Sequence, residues 1–227
     1  MRKSLTGRDC AARAGSILFG VAIAGTINCA SPTVDGVAPD YDPTVLTGGI
    51  LYHWPVGREI AVFILPAAGD ADLVDAVRTA LGRWGTTLAY RELTFRIADR
   101  IDDADIILRD RAVPSPVDAG DCGDVHQTGA PGSTVFCRGG SIAPILPLLA
   151  GPPGRAKVLV SVDVASIGNS GDLLAVTIHE LGHAFGIGGH SPNATDVMFA
   201  APTVTRPSRA DARTLRYVLH RPPTLTL

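Results

Sequence analysis

The sequence predicts an α+β fold, and three observations carry that expectation. Short β-prone apolar runs recur along the chain, segments with apolar residues at three- and four-residue spacing lie between and after them, and the first and last helical segments begin at a capping residue. Arg58 to Leu65 reads as the first strand, ended by Pro66. Asp70 then caps a helix whose apolar face is Leu73, Val74, Val77, Ala80, Leu81 and Trp84. Leu93 to Ile97 and Ala104 to Leu108 read as two further strands, and Lys157 to Val164 as another. A second helix is expected from near Gly171 or Asp172, running through Leu173-Leu174-Ala175-Val176-Thr177-Ile178 into His179. Ser208 and Asp211 give the capping signal for a last helix carrying Ala212, Leu215, Val218 and Leu219.

Composition narrows the class of protein. At 227 residues the chain suits one domain plus a processed leader. A net charge of −2 offers no support for nucleic acid or an anionic membrane as a partner. Arg2, Lys3, Arg8 and Arg13 precede the apolar run Gly15 to Ile27, so residues 1–30 read as an export signal, too short for a membrane span in the mature protein. Cleavage is expected near Ala30. Cys29 as a lipidated first residue is the alternative, which leaves the protein either secreted or held at the cell envelope. Residues 31–49, with Pro32, Pro39 and Pro43 among small and acidic residues, read as a linker or short pro-region, and residues 50–227 as the folded domain.

The chemistry concentrates in His179-Glu180-Leu181-Gly182-His183-Ala184-Phe185-Gly186-Ile187-Gly188-Gly189-His190. It holds three of six histidines and one of three glutamates. On a helix, residues four apart share a face, so His179 and His183 can ligate one Zn²⁺. Glu180, turned by roughly 100° from His179, can reach a water on that metal without ligating it, as a general base requires. Gly186 can adopt the left-handed conformation that ends a helix and lets the chain fold back, making His190 the natural third ligand.

This segment resembles the metzincin metallopeptidases, whose pattern is H-E-x-x-H-x-x-G-x-x-H followed by a methionine-containing turn. Here position 189 is Gly and the third histidine arrives one residue late, an insertion that Gly188 and Gly189 can absorb. The downstream register is kept from His190: Ser191 follows it, and Met198 lies eight residues beyond, as in the matrixin branch. No Glu occurs after Glu180, so Asp196, Asp211 and His220 are the remaining substitutes for the third ligand. The strand order and Ala104-Asp105-Ile106-Ile107 extend the resemblance over about residues 50 to 220. It implies a zincin-like catalytic domain with a twisted, mixed, mostly parallel sheet, an active-site helix and a C-terminal helix. It further implies that Met198 forms an apolar floor beneath the ligands, and that an extended peptide binds by adding to the edge strand of the sheet.

Outside that segment, Cys122 and Cys137 form an even pair, most simply a disulfide in an exported protein. A second metal site built from Asp118, Asp121, Cys122, Asp124 and His126 is the competing reading; its spacing matches neither a zinc knuckle nor an EF-hand, and Ca²⁺ on the Asp residues stays open. Trp54 and Trp84 read as core packing, and His53, His126 and His220 as surface or capping residues.

The expected activity is zinc-dependent endopeptidase hydrolysis by a monomer acting on a peptide or protein substrate. One zinc on His179, His183 and His190 activates a water, and Glu180 takes its proton. Two alternatives stay open: a catalytically impaired binding protein that keeps the fold, and a zinc hydrolase of cell-wall peptide or amide bonds.

Overall fold

Among the described residues, five strands build one mixed sheet and three helices complete an α+β domain. In the computed structural model the described residues are 38–49, 51, 54–88, 90–114, 130–137 and 158–221. They belong to a single unit spanning 34–227. The strands are β1 (Arg58–Leu65), β2 (Leu93–Ile97), β3 (Ile106–Asp110), β4 (Gly132–Phe136) and β5 (Val158–Val162); the helices are α1 (Ala71–Thr87), α2 (Ser170–Phe185) and α3 (Arg209–Leu219). The sheet order is β2-β1-β3-β5-β4. β1 pairs in parallel with β2 and β3, β3 pairs in parallel with β5, and only β4 runs antiparallel, along β5.

The period of two decides what each face covers. Ile60, Val62, Ile106, Leu108, Val158, Val160 and Val162 point into the main core with α1 and α2, while Ala61, Ile107 and Leu159 point the other way into a smaller cluster. β3 and β5 are buried along their whole length, as expected for inner strands of a sheet covered on both faces. β1 and β2 have the bounds read from the sequence. β3 is shifted two residues later than expected because Ala104 closes a short 3₁₀ turn, Ile101–Asp103, and Asp105 turns its carboxylate to the Ala61 amide and to Arg58. β5 ends at Val162, two residues earlier than expected, with Asp163 capping the turn Val164–Ser166.

β4 was not anticipated. Gly132-Ser133-Thr134-Val135-Phe136 has neither a continuous apolar run nor strict alternation, so its strand character comes from pairing with β5.

Local capping matches the residues present. Asp70 accepts from the Leu73 amide at the start of α1. α2 starts at Ser170, one residue before Gly171, and its N-cap Asn169 accepts from the Asp172 amide. Ser208 and Asp211 form the reciprocal capping box of α3. Two buried tryptophans fasten α2 into the core: Trp84 Nε1 donates to the Ile178 carbonyl and Trp54 Nε1 to the Ala184 carbonyl, each at 2.9 Å. Trp84 also meets Phe185 edge to face at 5.9 Å. Among the described residues no helix is long and apolar enough to cross a membrane.

Trp84→Phe keeps an aromatic ring but deletes the donor to Ile178 and leaves a void. Urea unfolding is expected to show a loss of about 1–3 kcal/mol with an unchanged slope; an unchanged midpoint would show that this bond and the packing around it do not hold α2.

Candidate metal centre

The helix α2 places His179 and His183 one turn apart, and its termination supplies the third imidazole. Gly186 caps the helix at φ 122°, a conformation favouring glycine, and its N–H reaches the Gly182 and His183 carbonyls. The chain then reverses through Ile187, Gly188 and Gly189 to His190. Among the described residues, His179, His183 and His190 form a group of three potential metal ligands whose donor atoms all lie within 4.8 Å of one another. Their ring centroids are 4.7, 5.2 and 5.2 Å apart.

Two backbone carbonyls select the tautomers. A carbonyl oxygen can only accept, so the contacts of His179 Nδ1 with the Val197 carbonyl (2.7 Å) and His183 Nδ1 with the Ile187 carbonyl (2.6 Å) place a proton on each Nδ1. Both Nε2 atoms are then left as bare acceptors, and they face each other at 3.1 Å. Two lone pairs at that distance repel unless a cation lies between them. Two nitrogens on one tetrahedral zinc, each about 2.0–2.1 Å from it, stand roughly 3.3 Å apart, so the donor set fits such an ion. The Nδ1–carbonyl bonds are the outer contacts that orient metal-ligating histidines.

Burial sets the charge states. It holds His183 down to about 3, helped by the neighbouring His179, and His179 down to about 4 against the opposing pull of the Val197 bond. His190, half-buried, is also lowered by burial. All three are therefore neutral at pH 7, as ligation demands. Glu180 is buried and burial raises it to about 7, opposed by its hydrogen bond from Thr134. Thr134 Oγ1 on β4 donates to Glu180 Oε2 at 2.7 Å. Gly132 on the same strand must lack a side chain, because a Cβ there would sit 2.5 Å from Glu180 Oε1. Sequence reasoning missed both residues. Since β4 itself was not legible, nothing in the sequence paired them with Glu180.

Met198 is fully buried, and its sulfur occupies the space that a side chain on Gly182 would need. The unassigned glycine inside the histidine motif is thus the seat of the methionine. The turn carrying Met198 is held by Asp211, whose carboxylate accepts from the Val197 amide (3.0 Å), the Met198 amide (3.4 Å), the Ser208 amide (2.8 Å) and the Tyr41 hydroxyl (2.8 Å). Ser191 Oγ donates to Asp196, and the Ser191 amide donates to the Met198 carbonyl. Asp196 and Asp211 are thus buried in hydrogen bonds that shape the turn, and His220 caps the far end of α3. None of these three joins the histidine cluster.

Cys137, just after β4, is disulfide-bonded. Cys122, its expected partner, lies outside the described residues, as do Asp118, Asp121, Asp124 and His126 of the alternative metal or Ca²⁺ site, His53, and the leader with Cys29. The chain matches no protein-family model, and no curated protein matches it.

The pKa shifts predict how the metal-free protein responds to acid. Unfolded, the histidines protonate near 6.5, but folded His179 and His183 stay neutral to about 4 and about 3, so their contribution to stability is present above 6.5 and lost as pH falls. Glu180 acts oppositely: folded it stays protonated to about 7, unfolded it ionises above 4.5, so its contribution is lost as pH rises through that interval. Between 4.5 and 6.5 the two histidines outweigh the one carboxyl. Urea midpoints of the metal-free protein are expected to drop from pH 7 to pH 5, and Glu180→Gln, which removes the opposing contribution, to drop more steeply. A shallower drop in the variant would contradict these charge states.

Proposed function

We propose that this chain is a zinc-dependent endopeptidase of the metzincin type, similar to the matrixins. The observation that carries the reading is the pair of Nε2 acceptors held face to face by carbonyl-bound Nδ1 protons, with a third imidazole in reach. His179, His183 and His190 would hold the ion. Bound there, zinc supplies a position at which water ionises near neutrality and a substrate carbonyl is polarised.

The protein's own groups do the rest. Glu180 follows His179 directly on α2, and its carboxylate is the group beside the histidines that can take a proton and give it back. Thr134 donates to Oε2 and so orients the carboxylate that would receive the proton from the water and later hand it to the leaving amine. Thr134 is thereby a positioning residue. β4 supports a peptide as substrate: it ends the sheet order, is antiparallel to β5, and carries the residue that fixes Glu180, so an extended chain added along its outer edge would lie beside the general base.

Purified protein should bind one zinc and cleave casein in preference to peptidoglycan fragments. Glu180→Ala is expected to retain zinc and lose cleavage by at least about a hundredfold; a variant that cleaves as fast as wild type would sink the assignment, and turnover of peptidoglycan fragments alone would move it to cell-wall hydrolysis.

Thr134→Val should lower kcat roughly tenfold with little change in KM or zinc content, and Thr134→Ser should recover it. Equal loss in both variants would mean that the hydroxyl does not position Glu180.

A further inference from the structure

The extra residue that delays the third histidine has a neighbour. Residues Asp40 to Gly48, within the segment read from sequence as linker or pro-region, lie against the turn that delivers His190. A side chain on Gly189 would overlap the Asp42 carbonyl oxygen, and one on Gly188 would meet Thr47 Cγ2 at 2.5 Å and the Pro43 carbonyl oxygen at 2.9 Å. The Leu46 amide donates to the Gly188 carbonyl at 2.7 Å. Neither glycine has a positive φ, so conformational freedom is not what requires them. Close approach of the Asp42 and Pro43 backbone and of the Thr47 side chain does.

The strap has its own shape and a second anchor. Asp42 accepts from the amide and hydroxyl of Thr44, a single 3₁₀ turn follows at Val45–Thr47, and Gly48 ends it at φ 62°. At the other end the Asp40 amide donates to Thr214, Asp40 pairs with Arg213 at 3.1 Å, and buried Tyr41 donates to Asp211. Asp211 is the same carboxylate that holds the turn whose Val197 carbonyl orients His179. One short segment thus ties the turn before the third ligand to the support of the first.

We infer that Asp40 to Gly48 is a positioning strap for the metal centre, retained in the working protein, and that Gly188 and Gly189 lack side chains so that it can hold the loop presenting His190. This rests on the reading of the three histidines as metal ligands. It gives the inserted residue a purpose: the lengthened turn makes room for the strap and still returns His190 to the other imidazoles.

The test is a double-mutant cycle on the full-length chain, with Zn²⁺ affinity measured by competition against a chromophoric chelator and the visible spectrum of the Co²⁺ form as reporter of ligand number. Gly189→Ala is expected to weaken Zn²⁺ binding roughly tenfold or more and to alter the Co²⁺ spectrum, yet to have no further effect in a His190→Ala background, because it acts through that ligand. Unchanged affinity in Gly189→Ala, or equal loss in both backgrounds, overturns the inference while leaving the histidine site intact. If His190→Ala alone binds Zn²⁺ as wild type does, His190 is not a ligand, and the site reading falls together with the strap. Should circular dichroism show that Gly189→Ala does not fold, Gly188→Ala decides instead: Thr47→Ala added to it should recover part of the lost affinity, and no recovery overturns the inference.

Discussion

The hydrogen bond from His179 Nδ1 to the Val197 carbonyl is the joint on which the centre depends. It commits the imidazole to one tautomer, turns Nε2 toward His183, and requires that a turn some eighteen residues later in the chain stand beside α2. Each further contact serves that requirement. Asp211 holds the Val197 and Met198 amides, Met198 fills the gap left by Gly182, and Trp84 fastens α2 from behind through the Ile178 carbonyl. Burial then keeps the imidazoles neutral, so that the groups are ready as ligands without first losing protons.

The same economy of space governs the glycines of the histidine segment. Gly186 is present for its positive φ, Gly182 for the methionine, and Gly188 and Gly189 for the strap. Gly132, far away in sequence, is present for Glu180. Five glycines thus answer to several constraints, only one of which is conformational freedom; a substitution at any of the other four is costly because of what lies opposite, not because of the residue's own backbone.

Burial of Glu180 has a similar double consequence. Enclosure by β4 raises its proton affinity toward neutrality, and the Thr134 hydroxyl opposes that rise while occupying one carboxylate oxygen. An edge strand of small, polar and apolar residues therefore bears on the chemistry of the helix it covers. Its outer edge, without a strand partner among the described residues, is where an extended substrate would pair under the proposed activity.

The sequence alone was sufficient for whatever depends on neighbours within one element. The bounds of β1 and β2, the Asp70 cap, the Ser208–Asp211 capping box, the helical pairing of His179 with His183 and the helix-ending role of Gly186 all follow from spacing of a few residues, because periodicity and capping are local. Tertiary structure decided what distant segments supply to one another. The residue pattern of β4 carries no strand signal until β5 pairs with it, Thr134 and Gly132 acquire meaning only across from Glu180, and Tyr41 only against Asp211. The late arrival of His190 was visible as an irregularity in the motif, but its physical reason was not. Steric exclusion at Gly188 and Gly189 is exerted by Asp42, Pro43 and Thr47, some 140 positions earlier in the chain, and packing against so distant a segment leaves no periodicity to read.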